Sequence, residues 1–486
     1  MPSNSAPARV GKRALTATVG LVGIALTVGL VGGGILLPVP TIEASAMSEV
    51  VIPMPTVQQR VCPGPVLNLA EDSSQAQAAT SVGQAEVVSS ARATAASEDA
   101  LTVPTSDLTA VDNTSGTGAP LLLSLPAEPG ATTAPLIAGS QSQVVATETI
   151  AGFTAAACAE ATSDAWLVGG STDVGRTSLV LLSNPTTVLA TVDLTVFGET
   201  GAVDAPGATG ILVQPGEQRV ISLAGLAPNL RSPVVHVESR GGQTTATLEQ
   251  SSIQGIEPGG VELIAPSTGP SLRQVIAGVR LLVPPAADAN GTDAGVAEGT
   301  PSVRILVTGI EPATVQVGVV SSTAGADGTS NEVELAPGVV TEVALPELTE
   351  GTFSIDVTSD QPIVAAARTE TVGTAGKDFS WFTASETLTD DFLVSVAPGP
   401  GPVLHLVNPL TADARISLAP EGGTRATVAV PAGAQVDLPL VAGTNYVVTG
   451  VESVVAAVGY SGDGALSSFT VRPAGPLAAP ITVYLR

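Results

Sequence analysis

From about residue 58 onward, apolar and polar residues alternate in short runs broken by Gly and Pro. Three stretches share one framework: "SLVLLSNPTTVLATVDLTV" (178–196), "SVRILVTGIEPATVQVGVV" (302–320) and "PVLHLVNPLTADARISLAP" (402–420). Each has an apolar alternating run, a turn, and an Ala (Ala190, Ala313, Ala414) that opens a second run. A turn follows each: Pro215-Gly216, Pro337-Gly338 and the looser Pro431-Ala432-Gly433. Period-two alternation between turn signals is the pattern of half-buried strands. In the first framework Leu194 and Val196 point one way, and Asp193 and Thr195 the other. Further strands read as "QRVISLAGL" and "VVHVES", then "VVTEVALPEL", "FSIDVTS" and "PIVAAARTE", then "AQVDLPL", "YVVTGVES" and "VVAAVGYS".

The ending "VVATETIAG" (144–152) resembles "VAAARTETVG" (364–373) and, more loosely, "ATLEQSSIQG" (246–255), which adds a divergent first copy and makes four units. Trp166 and Trp381, the two tryptophans of the chain, each stand between such an ending and the next alternating run. They read as packing anchors, because Trp buries more area than any other side chain. The pattern predicts an all-β chain of tandem immunoglobulin-like or fibronectin-like β-sandwich domains, though neither the Cys…Trp…Cys spacing nor the tyrosine corner of true immunoglobulin domains is present. The segment 71–118 alternates too weakly to choose between helix and loop.

Upstream the pattern changes. Arg9, Lys12 and Arg13 precede an uncharged apolar run from Ala14 to Leu37, longer than the roughly 20 residues a membrane-crossing helix needs. Basic residues on its N-terminal side place that end in the cytoplasm. The alternative is a signal peptide cleaved after Ala46, at an Ala44-Ser45-Ala46 site. Both readings export the rest of the chain. The expected organisation is a cytoplasmic tail (1–13), a transmembrane anchor (14–37), a Pro-punctuated stalk (38–57), a divergent β domain with a disulfide (58–165), and β-sandwiches at 166–270, 271–385 and 386–486. The localisation that follows is the plasma membrane, single-pass, with extracellular C-terminal domains, or secretion if the run is cleaved.

Composition narrows the chemistry. Gly and Pro number 52 and 38 among 486 residues, below the roughly 25–30% of disordered low-complexity chains. A net charge of −26 repels nucleic acid and anionic headgroups. Cys62 and Cys158 are the only cysteines, and in an exported chain they read as one disulfide. His236 and His405 lie in different units inside strand patterns, so no zinc site of ordinary His/Cys composition can be assembled. No phosphate-binding loop, dinucleotide fingerprint or HExxH occurs, and no cofactor is expected. "GYSGDG" (459–464) misplaces the second Gly of a nucleophile elbow and reads as a hairpin turn. Asp288, Asn290 and Asp293, in the Gly/Pro-rich loop 284–301, form a weak Ca²⁺ candidate without the distant bidentate Glu of an EF-hand. Asp390-Asp391 could serve glycoside hydrolysis only in an aromatic-lined cleft, and aromatics are 2% of the chain.

The basic tail with its apolar run, "CPGP" (62–65), "AWLVGG" (165–170), "LLSNP" (181–185) and "PGEQRVISLAGLAP" (215–228) together resemble an exported actinobacterial domain-of-unknown-function family, number 5719. The resemblance implies an anchored or secreted envelope protein and carries no catalytic residues.

The expected function is a non-enzymatic, membrane-anchored envelope protein, a scaffold or accessory subunit for an envelope-building, glycosyltransferase-type enzyme. Its expected partners are the cell membrane through residues 14–37, and an envelope protein or a glycan. The alternatives are a cell-wall glycan-binding or adhesion module, which predicts exposed aromatics, and a secreted hydrolase, which requires a carboxylate pair in a deep cleft.

Overall fold

The alternating runs become strands, and three times over these pair into two facing layers in the same order. In the computed structural model the described residues are 48–51, 57–69, 78–97, 99–127, 134–282, 299–323, 328–345, 348–473 and 481–484. The chain divides into two units, residues 1–52 with 480–486, and 53–479. In the first, β1 (Ser48–Val51), read from the sequence as stalk, pairs antiparallel with the last strand, Ile481–Tyr484.

The second unit begins with β2 (Gln58–Cys62), β3 (Leu67–Leu69), β4 (Ala79–Ser81), β5 (Glu86–Arg92), β6 (Thr105–Asp107), β7 (Thr109–Ala110), β8 (Leu121–Leu125), β9 (Leu136–Ala146) and β10 (Ala151–Ala157). Two three-stranded sheets, β2-β8-β6 and β10-β9-β5, make this copy smaller than the others. Among its described residues the ambiguous segment 71–118 thus holds the four short strands β4 to β7, joined by turns and irregular stretches.

The next copy comprises β11 (Asp164–Val168), β12 (Arg176–Ser183), β13 (Ala190–Gly198), β14 (Gly201–Val203), β15 (Ile211–Val213), β16 (Glu217–Ser222), the single turn α1 (Leu223–Leu226), β17 (Val234–Gly241), β18 (Thr245–Gln254) and β19 (Glu257–Ile264). One layer is β11-β17-β13 with β14 and β15; the other is β19-β18-β12-β16 with β7 at its edge. Val180 and Leu182 of β12 face the core between these layers, while Leu179 and Leu181 pack with Leu67 and Ala79 of the first copy. Burial on both faces explains why β12 reads as a continuous apolar run rather than a strict alternation.

The third copy holds β20 (Ser271–Leu281), β21 (Ser302–Val307), β22 (Ala313–Ser321), β23 (Thr329–Leu335), β24 (Val340–Ala344), β25 (Gly351–Gly373) and β26 (Gly376–Thr383). The fourth holds β27 (Phe392–Ser395), β28 (Val403–Val407), β29 (Ala414–Pro420), β30 (Ala426–Val430), β31 (Gln435–Pro439), β32 (Asn445–Thr449), β33 (Val455–Gly462) and β34 (Ala465–Val471), leaving Ile481–Tyr484 as β35. Its layers, β27-β32-β29-β30 and β31-β28-β33-β34, repeat the strand order of the second copy, with β30 alone in the place of β14 and β15.

The immunoglobulin-like expectation needs correction. There the last strand lies beside the sixth in one sheet. Here β17 joins β11 and β13, whereas β18 crosses to β12 in the opposite layer. In the third copy both roles fall to the single strand β25. Its first half pairs with β20 and β22, and beyond Pro362 it pairs with β21 and β26. A strand that changes sheets at a bend is how orthogonal corners are made. The architecture is therefore sandwich-like layers with crossed last strands.

The crossing strands lead into four hairpins, β9–β10, β18–β19, β25–β26 and β33–β34. The second strand of each hairpin is an edge strand. β10 packs against β19 and β34, and β26 packs against the same two, so the four edges close a central hub. Mutual cover keeps these edges from pairing with other chains.

The membrane-anchor expectation is also corrected. The run 14–37 lies outside the described residues, and among those residues no helix is long and apolar enough to cross a membrane. Hydropathy measures composition, which by itself does not fix the conformation of a run. Single-pass topology, a cytoplasmic N-terminus and a membrane partner through 14–37 therefore do not carry forward, and the anchored-scaffold function that depended on them falls as well.

Candidate functional site

Chemistry-bearing side chains concentrate at the hub. Asp378, on β26, is buried, and its carboxylate accepts backbone N–H groups from all four hub strands. Oδ2 takes Phe153 of β10 at 2.9 Å and Leu466 of β34 at 3.1 Å. Oδ1 takes Val261 of β19 at 3.3 Å and its own neighbour Phe379 at 3.0 Å. Gly260 makes room for it: at φ +117°, a Cβ there would come within 2.8 Å of Asp378 Oδ1. Burial pushes the carboxyl up to about 8, against the pull of the four N–H donors.

Glu262 of β19 lies beside it. Its Oε1 accepts the Ser467 hydroxyl at 2.8 Å, and that hydroxyl oxygen accepts the Ala155 N–H at 2.8 Å. Thr154 Oγ1 accepts the Leu263 N–H at 3.0 Å. Every neighbouring pair of hub strands is thus joined by a side-chain-to-backbone hydrogen bond. Burial, reinforced by the Asp378 charge, drives Glu262 well above the usual carboxylate range despite the hydroxyls around it. Next to the hub, Glu249 of β18 holds the Leu67 N–H with both oxygens, at 3.0 and 3.1 Å, and burial raises it to about 8.

A second polar cluster joins the second and third copies. Arg304 of β21 is buried, donates to Glu342 Oε1 from Nη2 at 2.7 Å and Nε at 3.0 Å, and reaches Gly170 O and Pro233 O from Nη1. Its guanidinium sits 4.4 Å from the Trp381 ring centroid, while Trp381 Nε1 donates to Gln250 Oε1 at 2.7 Å. Burial raises Glu342, but the charge and hydrogen bonds of Arg304 leave it lowered overall.

The residues singled out from the sequence are scattered. Cys62 and Cys158 are bonded to each other and lie in the core of the first copy. Trp166 (7% exposed) stacks on His236 at 4.0 Å between ring centroids, and His236 Nε2 meets Asp164 Oδ2 at 2.6 Å. Trp381 is 2% exposed. The two tryptophans occupy different places in the repeat, since Trp166 lies on the opening strand β11 and Trp381 on the closing strand β26. His405 (4% exposed) contacts Asp437 Oδ1 through Nδ1 at 2.7 Å, and its ring is walled by Gly278 and Gly459. Burial pushes Asp437 up, yet hydrogen bonding and charge from His405 hold it below the usual range. Asp390 is exposed, and Asp391 accepts the Gly450 N–H at 2.8 Å. Gly459 to Gly462 close β33 ahead of a hairpin turn. Asp288, Asn290 and Asp293 lie outside the described residues, among which no cluster of three or more His, Cys, Asp or Glu could hold a metal.

The hub residues escaped sequence reading, because each looks like one acid in a strand. The available signal was an acid inside an apolar run, as in "GGVELIAP" and "KDFSWF".

A model of a family of unknown function, DUF5719, matches residues 110–457. The chain belongs to this family. In this DUF5719 member the match spans the second and third copies whole and all but the end of the fourth. No curated protein matches the sequence. Among solved structures, Thermotoga maritima 1070 is 17% identical over 24% of this chain and 92% of its own, with a TM-score of 0.19. The BSP domain of a biofilm-associated protein is 9% identical over 90% of this chain and 100% of its own, with a TM-score of 0.13. Likeness at that level carries no argument for the DUF5719 fold.

Proposed function

We propose that this DUF5719 protein is an exported, non-enzymatic adhesion module, a rigid block of four β-sandwich copies that works by binding through its surface. The observation that carries the reading is where its chemistry goes. The buried acids, both histidines and both tryptophans are engaged in contacts within the chain. The Cys62–Cys158 bond supports an oxidising compartment. The acidic composition supports solubility for an Ala- and Val-rich β protein. Burial of Trp166 and Trp381 argues against sugar stacking at these rings and favours adhesion over the glycan-binding form of the reading.

The test is cosedimentation of the purified protein with isolated envelopes and intact cells of the producing organism. Saturable retention without release of sugars or peptides supports adhesion. Retention no greater than that of an unrelated acidic β-sandwich rejects it, and turnover of envelope polymer replaces it with a hydrolase.

A further inference from the structure

The second, third and fourth copies end one layer in the same way. The framework Ala of each stands opposite the last residue of its edge strand: Ala190 faces Val213 of β15, Ala313 faces Leu335 of β23, and Ala414 faces Val430 of β30. Among the described residues each edge strand pairs on one side only, so its outer N–H and C=O groups form an open template for a further strand.

Two of these edges are guarded. In the second copy the edge is split into β14 and β15, and Asp193 Oδ1 accepts the Gly210 N–H from the stretch between them at 2.8 Å. In the third copy β23 carries Glu332 and Glu334, both exposed. β30, "ATVAV", has neither a break nor a charge, and most of it is exposed. Two exposed arginines flank it: Arg425 precedes the strand, and Arg415 of β29 stands opposite Ala429. Neither is ion-paired with a described residue, in a chain with 44 acids against 18 bases.

We propose that β30 of one molecule receives β23 of a second copy of this chain as an added strand, joining molecules head to tail through their fourth and third copies. Alternation makes the two edges complementary. On β30, Val428 and Val430 turn inward and Thr427 and Ala429 outward; on β23, Val333 and Leu335 turn inward and Glu332 and Glu334 outward. Every register that keeps the apolar sides together therefore sets these acids on the same face as Arg415 and Arg425. The half-buried Val428 and Val333 gain cover in the same step. Pairing of like edges is poorer, since two β23 strands bring acids to acids and two β30 strands bring arginines to arginines. Adjacent strands lie about 4.8 Å apart, whereas salt at physiological strength screens the net charge of −26 beyond about 8 Å. The local attraction therefore outlasts the overall repulsion between copies. This contact needs no envelope component, so it stands or falls apart from the adhesion reading.

Analytical ultracentrifugation of the full chain at about 0.15 M salt tests it. The natural protein associates as its concentration rises. Reversing one side with Arg415→Glu and Arg425→Glu weakens association at least about tenfold, and reversing the other with Glu332→Arg and Glu334→Arg does the same. An equimolar mixture of the two variants regains it, because each then presents the charge that the other's edge requires. A second measurement needs the natural protein alone: in hydrogen exchange, peptides covering β23 and β30 gain protection at high concentration, and those covering β14 and β15 do not. A natural protein that stays monomeric at every concentration overturns the proposal, as does association that survives both reversals. Association lost on reversing β30 but kept on reversing β23 also overturns it, in favour of two β30 edges pairing with each other.

Discussion

Asp378 Oδ2 accepts the backbone N–H of Phe153 at 2.9 Å across 225 positions of sequence, tying the third copy to the first. Because the same carboxylate also receives Val261 and Leu466, one side chain serves the edges of all four copies. Asp378→Ala strands these donors, and a buried unsatisfied group costs about 1–3 kcal/mol. Relaxation around the site shares the burden, so the expected loss is about 3–5 kcal/mol, read as a lower urea midpoint. Asp378→Asn keeps one acceptor oxygen and falls between. A loss under about 1 kcal/mol for Asp378→Ala would show that the hub does not bind the copies together.

Glu249 predicts a pH slope of its own. Its carboxyl is raised to about 8 by burial, so the stability it contributes is complete below about 4.5 and is lost as pH rises through about 8. The melting temperature should climb as pH falls from about 9 to about 5, and Glu249→Gln should reduce that climb. Scanning calorimetry at matched ionic strength measures it; a variant with the natural protein's slope refutes the assignment.

Cys62 and Cys158 are separated by 96 positions, and a loop that long is worth about 4–5 kcal/mol in the chain-entropy description. Cys62→Ser with Cys158→Ser, or reduction in mild denaturant, should loosen the first copy most, since its core is built around the bridge. Thiol titration of the unfolded, unreduced protein should find no free thiol, and limited proteolysis after reduction should cut first between β2 and β10.

His405 offers a spectroscopic handle, because the chain has only two histidines. A Cβ at Gly278, where φ is +71°, would lie 2.3 Å from His405 Cδ2. Gly278→Ala should therefore push the ring off Asp437 and cost about 1–3 kcal/mol. In a two-signal imidazole NMR spectrum, the His405 resonances should move and those of His236 stay. If neither moves, the ring is not held by this contact.

How much of this was legible can be followed through particular residues. Val192, Leu194 and Val196 announce an inward face by period two, and β13 buries all three. The crossing of β25 had no local mark beyond Pro362, because which sheet a strand joins depends on partners far away in sequence. Trp166 and Trp381 were misaligned for a related reason: rarity drew them together, although "SDAWLV" (163–168) matches "TDDFLV" (389–394), which makes Phe392 the counterpart of Trp166. The hub was hidden altogether. Its hydrogen bonds join residues 88 to 312 positions apart, and nothing near Asp378 reveals its partners.

Arg304 and Glu342 provide the sharpest separation of pairing from burial. The guanidinium is 3% exposed, meets Glu342 at 2.7 Å, and also reaches the Gly170 and Pro233 carbonyls of the second copy. Arg304→Ala leaves Glu342 without its counter-charge and those carbonyls without donors, for an expected loss of about 3–5 kcal/mol. Glu342→Ala should cost less, because the Arg304 guanidinium keeps its carbonyl partners and its place over Trp381. Once either partner is gone the other has less to lose, so the double variant should fall short of the two single losses added together by about 1–3 kcal/mol. Urea unfolding of the four proteins closes this cycle. Strict additivity would mean that Arg304 acts through its carbonyl contacts and the Trp381 face alone, and that the ion pair adds nothing to the joint between the second and third copies.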